Sequence, residues 1–96
     1  MGNPQISVVM PVYNDGLFLN EAIESILSQT YSNFEFIIIN DGSTDNSLDI
    51  IKSYKDQRII ILQQNSNKGI TKALNYGLAN ARSRFIARMD ANDIAL

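Results

Sequence analysis

The chain has 96 residues, 45% of them apolar, with eight basic and ten acidic side chains and a formal net charge of −2. That length supports one modest core and a single domain, and the near-balanced charge leaves no basic stripe for nucleic acid. Cysteine and histidine are both absent, which excludes disulfides, thiolate nucleophiles and His-based triads, so any metal must sit on oxygen ligands.

Ile6 to Tyr13 is a β-branched apolar run closed by the turn-forming Asn14-Asp15-Gly16, which predicts a first strand. From Leu17 to Gln29, Leu19, Ala22, Ile23, Ile26 and Leu27 recur at three- and four-residue steps, the spacing of one helical face. Phe34 to Asn40 is almost continuously apolar and reads as a second strand covered on both faces. Asp41-Gly42-Ser43-Thr44-Asp45 supplies turn and cap residues for a helix carrying Leu48, Ile51 and Tyr54. Ile59 to Leu62 is a third strand, Gln63 to Lys68 a polar loop, and Gly69 leads into a helix whose inward positions are Ile70, Ala73, Leu74, Gly77, Leu78 and Ala81. Phe85 to Met89 is the fourth strand.

Strands alternating with helices require parallel crossovers. The expected fold class is therefore α/β, an open, mainly parallel sheet of about four strands with helices on both faces. The apolar runs are far too short to span a membrane and no basic leader opens the chain. The expected location is cytoplasmic, with the inner face of the membrane as a second setting for the full-length protein.

Ligands of open α/β sheets bind outside the carboxyl ends of the strands, and four polar segments fall there. Asp90-Ala91-Asn92-Asp93 follows strand four; its two carboxylates and one amide either converge on a hard cation or cap a following helix. Asn40 to Asp45 either presents Asp41 to a ribose hydroxyl or a base N–H, or forms an Asx turn before a helix. Tyr13, after Pro11 and Val12, is either a stacking face for a base or an aromatic packed on the core. Asn65 to Gly69 either offers phosphate a helix N-terminus with charge from Lys68 or Lys72, or is a solvated loop.

In order and spacing these segments resemble family 2 glycosyltransferases over nearly the whole chain. The resemblance rests on Val8 to Asn14, Ser25 to Tyr31, the Asp-Gly-Ser-Thr-Asp turn at Asp41 to Asp45, Asn67-Lys68-Gly69 with Asn75 beyond, and Ala87 to Asp93. It implies the GT-A fold, with residues 1–96 as the N-terminal, nucleotide-sugar-binding part of a domain that continues past them. It also implies a glycosyltransferase that moves a sugar from a nucleotide diphosphate sugar, a UDP-sugar first, to a glycan or lipid-linked acceptor hydroxyl, with inversion. Pro11, Tyr13, Asn14, Asp41, Lys68 and Gly69 become the nucleotide-binding set, with Asp41 on the base. Asp90, Asn92 and Asp93 become the site for Mg²⁺ or Mn²⁺ and the diphosphate. The family usually has Asp-Ala-Asp-Asp in that last segment, so Asn92 supplies an uncharged oxygen where a carboxylate is the rule. No residue is assigned as the catalytic base.

A dinucleotide-binding Rossmann domain is the nearest rival, because Asp41 stands where a ribose-binding acid would; the single glycine of Asn14-Asp15-Gly16 does not make its pyrophosphate loop. A receiver domain would need acids after strands one and three, and strand three exits into Gln63-Gln64-Asn65. A non-catalytic nucleotide-binding module is the third alternative. A domain that continues past residue 96 predicts an exposed edge beside strand four and self-association of this segment, tempered by Ser83, Arg84 and Arg88 along it.

Overall fold

A computed structural model describes residues 4–29 and 33–90. Four strands, β1 (Ile6–Val12), β2 (Phe34–Asp41), β3 (Ile59–Gln64) and β4 (Phe85–Arg88), alternate with α1 (Gly16–Leu27), α2 (Ser47–Lys52) and α3 (Ile70–Asn80). The sheet order is β3-β2-β1-β4 and every pairing is parallel, as expected for this alternation.

Strand order decides where the helices lie. From β1 through β2 to β3 the chain steps one way across the sheet, and from β3 to β4 it returns past β1 to the opposite edge. Right-handed crossovers then require α1 and α2 on one face and α3 on the other. The buried clusters agree. Val8, Met10, Val12, Phe36 and Ile38 pack with Leu19, Ile23 and Ile26 of α1 and Ile51 of α2, whereas Val9, Ile37 and Ile39 pack with Ala73 of α3. Both faces of β2 are thus covered, which is why Phe36 to Ile39 is apolar without alternation. Each fully buried Ile or Leu contributes about 1.5–3 kcal/mol, so the central pair β1 and β2 holds the sheet.

Several boundaries and faces differ from expectation. Strand β3 runs on through Gln63 and Gln64, which pair with Asn40 and Asp41; cross-strand partners extend a ladder that polar side chains alone do not mark. Helix α2 ends at Lys52, leaving Tyr54 beyond it, where the single phenol O–H is within donating distance of Asn20 Oδ1 at 2.9 Å and Glu24 Oε2 at 3.0 Å on α1. Ile70 and Leu78, expected inward on α3, are half-exposed at 51% and 46%, and only Ala73 and Gly77 are buried. The α3 face is narrow because the helix lies across β1 and β2 on small residues. All four residues of β4 are exposed.

Candidate functional site

The reversal of strand order falls at β1, where open parallel sheets part and a crevice forms above the strand ends. A cleft of about 380 Å³ lies there. Pro11, Val12 and Tyr13 from the end of β1, Asp41 from β2 and Asp90 after β4 line it, joined by Asp15, Asn67 and Ile70. Three neighbouring strands therefore deliver their terminal residues to one opening.

Two loops on its rim are stitched together by side chains. Asn14, at φ +53, accepts from the backbone N–H groups of Thr44 and Asp45 at 2.8 and 3.2 Å, while its own N–H donates to Ser43 Oγ at 3.0 Å. Asp45 accepts from Ser47 N at 2.9 Å and Gly16 N at 3.2 Å. The Ser47 hydroxyl and these N–H groups hold the Asp45 carboxyl below the usual carboxylate range. The Ser-Thr-Asp run thus closes an Asx turn, and Asn14 is the bridge between loops. It does not line the cleft.

Asp41 is only 3% exposed. Its Oδ1 accepts from Gln64 Nε2 at 2.8 Å and Lys68 N at 2.9 Å, and its Oδ2 accepts from Gly69 N at 3.1 Å. The last two donors lie at the entry to α3, so the carboxylate takes the place a phosphate would occupy at a helix N-terminus. Lys68 and Gly69 accordingly reach the site through their N–H groups, behind Asp41. The turn needs glycine twice. Gly69 sits at φ +94, ψ 158, and Gly42 sits at φ +71, where an added Cβ would stand 2.5 Å from Asn67 N and 2.7 Å from Ser66 Cα. Side-chain bulk at Gly42 is excluded by backbone, which keeps the β3–α3 loop close to Asp41.

Tyr13 is 44% exposed on the cleft wall, leaving ring surface for stacking. Asp90 lines the opposite side, where Arg88 donates to its Oδ1 at 3.1 and 3.3 Å. Asn92 and Asp93 lie outside the described residues, and among the described residues no group of three acidic side chains converges. One polar atom stays alone: the buried Asn40 donates from Nδ2 to Gln63 Oε1 at 3.0 Å, and its Oδ1 has no partner among the described residues.

The structure thus brings Pro11, Tyr13, Asp41 and Asp90 together, and assigns Asn14, Lys68 and Gly69 to the frame around them. Asp15, Gln64 and Ile70 were not given a site role from the sequence, and Asn67 was marked there only within the Asn65 to Gly69 segment. For Gln64 the signal was the polar pair ending an apolar strand; for Ile70 helical periodicity pointed the wrong way.

The model for "Glycosyl transferase family 2" matches residues 7–96. The chain is 44% identical over 91 residues to the glycosyltransferase GlyG of Streptococcus pneumoniae serotype 4, covering 93% of this chain and 30% of GlyG. It spans well under half of the length of the curated relatives it matches, from 11% to 38%. Among solved structures, S. aureus TarS in complex with UDP-GlcNAc superposes with a TM-score of 0.89 at 29% identity, over 94% of this chain and 27% of TarS. A mannosyltransferase from Pyrobaculum calidifontis, in complex with GDP-Man and Mn²⁺, shares the fold with a TM-score of 0.87 at 22% identity, over 98% of this chain and 29% of that one. The fold is GT-A, the Rossmann and receiver alternatives fall away, and the chain belongs to glycosyl transferase family 2.

Proposed function

We propose that the chain is the donor-nucleotide part of an enzyme that transfers a sugar from a nucleotide diphosphate sugar, a UDP-sugar, to a glycan or lipid-linked acceptor hydroxyl, with inversion. The observation that carries this reading is the meeting of Tyr13, Asp41 and Asp90 in one cleft at the strand ends. UDP-GlcNAc in TarS, 29% identical over 94% of this chain, supports the choice of donor.

Each residue has a role that its surroundings suit. The Tyr13 ring stacks on the base. Asp41 accepts from a ring N–H at the base edge, held in place by Gln64, Lys68 and Gly69. Asp90, with Asn92 and Asp93, holds Mg²⁺ or Mn²⁺: both Arg88 bonds fall on Oδ1, so Asp90 Oδ2 is an oxygen donor of the kind a hard cation takes. Such a cation supplies positive charge against the departing diphosphate.

Calorimetry on the 96-residue chain tests the base assignment. UDP binds the wild type, and Asp41→Ala weakens it by about tenfold or more, the worth of a charge-assisted hydrogen bond. Equal heats for both proteins, or preference for NAD, would overturn the reading. For the metal, Asn92→Asp tightens Mn²⁺ by about tenfold, or ~1.4 kcal/mol, in the presence of UDP; an unchanged titration removes Asn92 from the metal set.

A further inference from the structure

The Asp41 carboxylate is buried and, among the described residues, bonded only to neutral donors. Among the described residues the ion pairs are Arg58–Asp56, Arg82–Glu35 and Arg88–Asp90, and none involves Asp41. Each carboxylate oxygen accepts about two hydrogen bonds. On Asp41 both places on Oδ1 are taken, by Gln64 Nε2 and Lys68 N, and one on Oδ2 is taken by Gly69 N. A single acceptor position is left on a residue that lines the cleft.

Two of the three donors are backbone N–H groups fixed by the turn at Gly69. Gln64 is the only side chain among them. It stands directly across the ladder from Asp41, while its neighbour Gln63 turns to the other face of the sheet, as the two-residue period requires, and bonds Asn40. Register therefore places one glutamine against Asp41 and the other against Asn40.

We propose that Gln64 is a positioning residue that sets base specificity. By filling Oδ1 it leaves Asp41 as an acceptor with one vacancy, matched to a base that presents a ring N–H at the centre of its edge, as uracil does at N3. Cytosine presents a lone pair at that atom, so it meets the carboxylate acceptor to acceptor, leaving a buried charge unpaired. This inference rests on the proposed nucleotide site and deepens it.

The test is calorimetry with UDP and CDP on wild type, Gln64→Leu, Gln64→Glu and Gln63→Leu, with circular dichroism to confirm folding. The wild type prefers UDP by about tenfold. Gln64→Leu frees Oδ1, lets the carboxylate turn, and lowers the UDP:CDP ratio severalfold, whereas Gln63→Leu keeps it. Gln64→Glu sets two carboxylates against each other, so that one holds a proton to higher pH than an isolated carboxyl would. While that proton bridges the two carboxylates it fills Oδ1 as the Gln64 amide does, so the UDP:CDP ratio stays near that of the wild type at low pH and falls as pH rises and the carboxylates repel. A merely structural glutamine would not create this pH response, and the Glu variant decides the matter if the Leu variant does not fold. Should the wild type prefer UDP while the ratio ignores Gln64→Leu and pH leaves Gln64→Glu unmoved, the inference is overturned and the nucleotide site stands. An equal drop in Gln63→Leu also overturns it. Absence of binding by the wild type to either nucleotide removes both readings.

Discussion

Strand β2 carries one buried carboxylate near each end, Glu35 at 2% exposure and Asp41 at 3%, and the two do the same structural work on opposite ends of α3. Asp41 accepts the N–H groups of Lys68 and Gly69 at the helix entry. Glu35 accepts the N–H of Arg82, just past the helix exit, at 2.7 Å. The difference lies in what else surrounds them. Glu35 is neutralised by the Arg82 guanidinium, Nε to Oε1 at 2.9 Å, and also receives the Ser7 hydroxyl. Among the described residues Asp41 has no cation partner, and it opens onto the cleft. A carboxylate paired inside the fold holds structure, whereas one without a cation beside a cavity suits the ligand role proposed for it.

The largest way to break that comparison is Glu35→Ala. It strands the buried Ser7 hydroxyl and the Arg82 backbone N–H at the foot of the sheet and should cost about 3 kcal/mol, which for a domain of this size lowers Tm by roughly 12 °C or more. Thermal unfolding measures it, and UDP affinity of the folded protein should not change. A loss below about 1 kcal/mol would mean that α3 is not clamped at its exit.

Gly42→Ala sharpens the other end. The new methyl meets the Ser66 and Asn67 backbone at a φ of +71, so the strain should cost about 1–3 kcal/mol and push the β3–α3 loop off Asp41. Here UDP affinity should fall together with stability, in contrast to Glu35→Ala. Stability lost with affinity intact would show that the loop's place does not matter to the site.

How much of this was legible beforehand follows from what each signal measures. Continuous apolar runs and helical spacing placed all four strands and three helices within a few residues, because burial on both faces of a parallel sheet favours an unbroken apolar run such as Phe36 to Ile39. The same logic failed at Ile70 and Leu78, since periodicity names a face without telling how wide a neighbour covers it. Asp41 and Asp90 were legible as acids at strand ends, and the resemblance of the flanking motifs gave them roles. Asn14 was read as a ligand contact, and the structure shows its side chain bridging to the Thr44 and Asp45 N–H groups. Gln64 stayed out of view because its role depends on the register of β2 against β3, a long-range property that no local window carries. Glu35 was hidden inside an apolar run for the same reason: its partners Ser7 and Arg82 lie 28 and 47 residues away in the chain.

The smallest effect separates charge from hydrogen bonding at Glu35. Arg82 is 56% exposed along its side chain, so solvent screens the ion pair and Arg82→Gln should cost only about 0.5–1 kcal/mol, while the backbone N–H of Arg82 and the Ser7 hydroxyl keep their bonds. Burial pushes the Glu35 carboxyl up, but the Ser7 hydroxyl and the backbone and guanidinium of Arg82 pull it further down, below its ordinary value near 4.5. A carboxylate depressed in the folded state adds stability above its unfolded value, and that stability is lost as pH falls through the folded value. Removing the guanidinium lets the folded value climb back toward 4.5 and shrinks the stabilisation. Urea unfolding should therefore show wild type ahead of Arg82→Gln at about pH 7, with the gap closing on acidification below 4.5 as Glu35 takes its proton in both proteins. Asp45 and Asp56, also depressed, lose their contributions equally in the two and drop out of the difference. A gap that persisted unchanged into acid would place the guanidinium's contribution in packing instead of in charge.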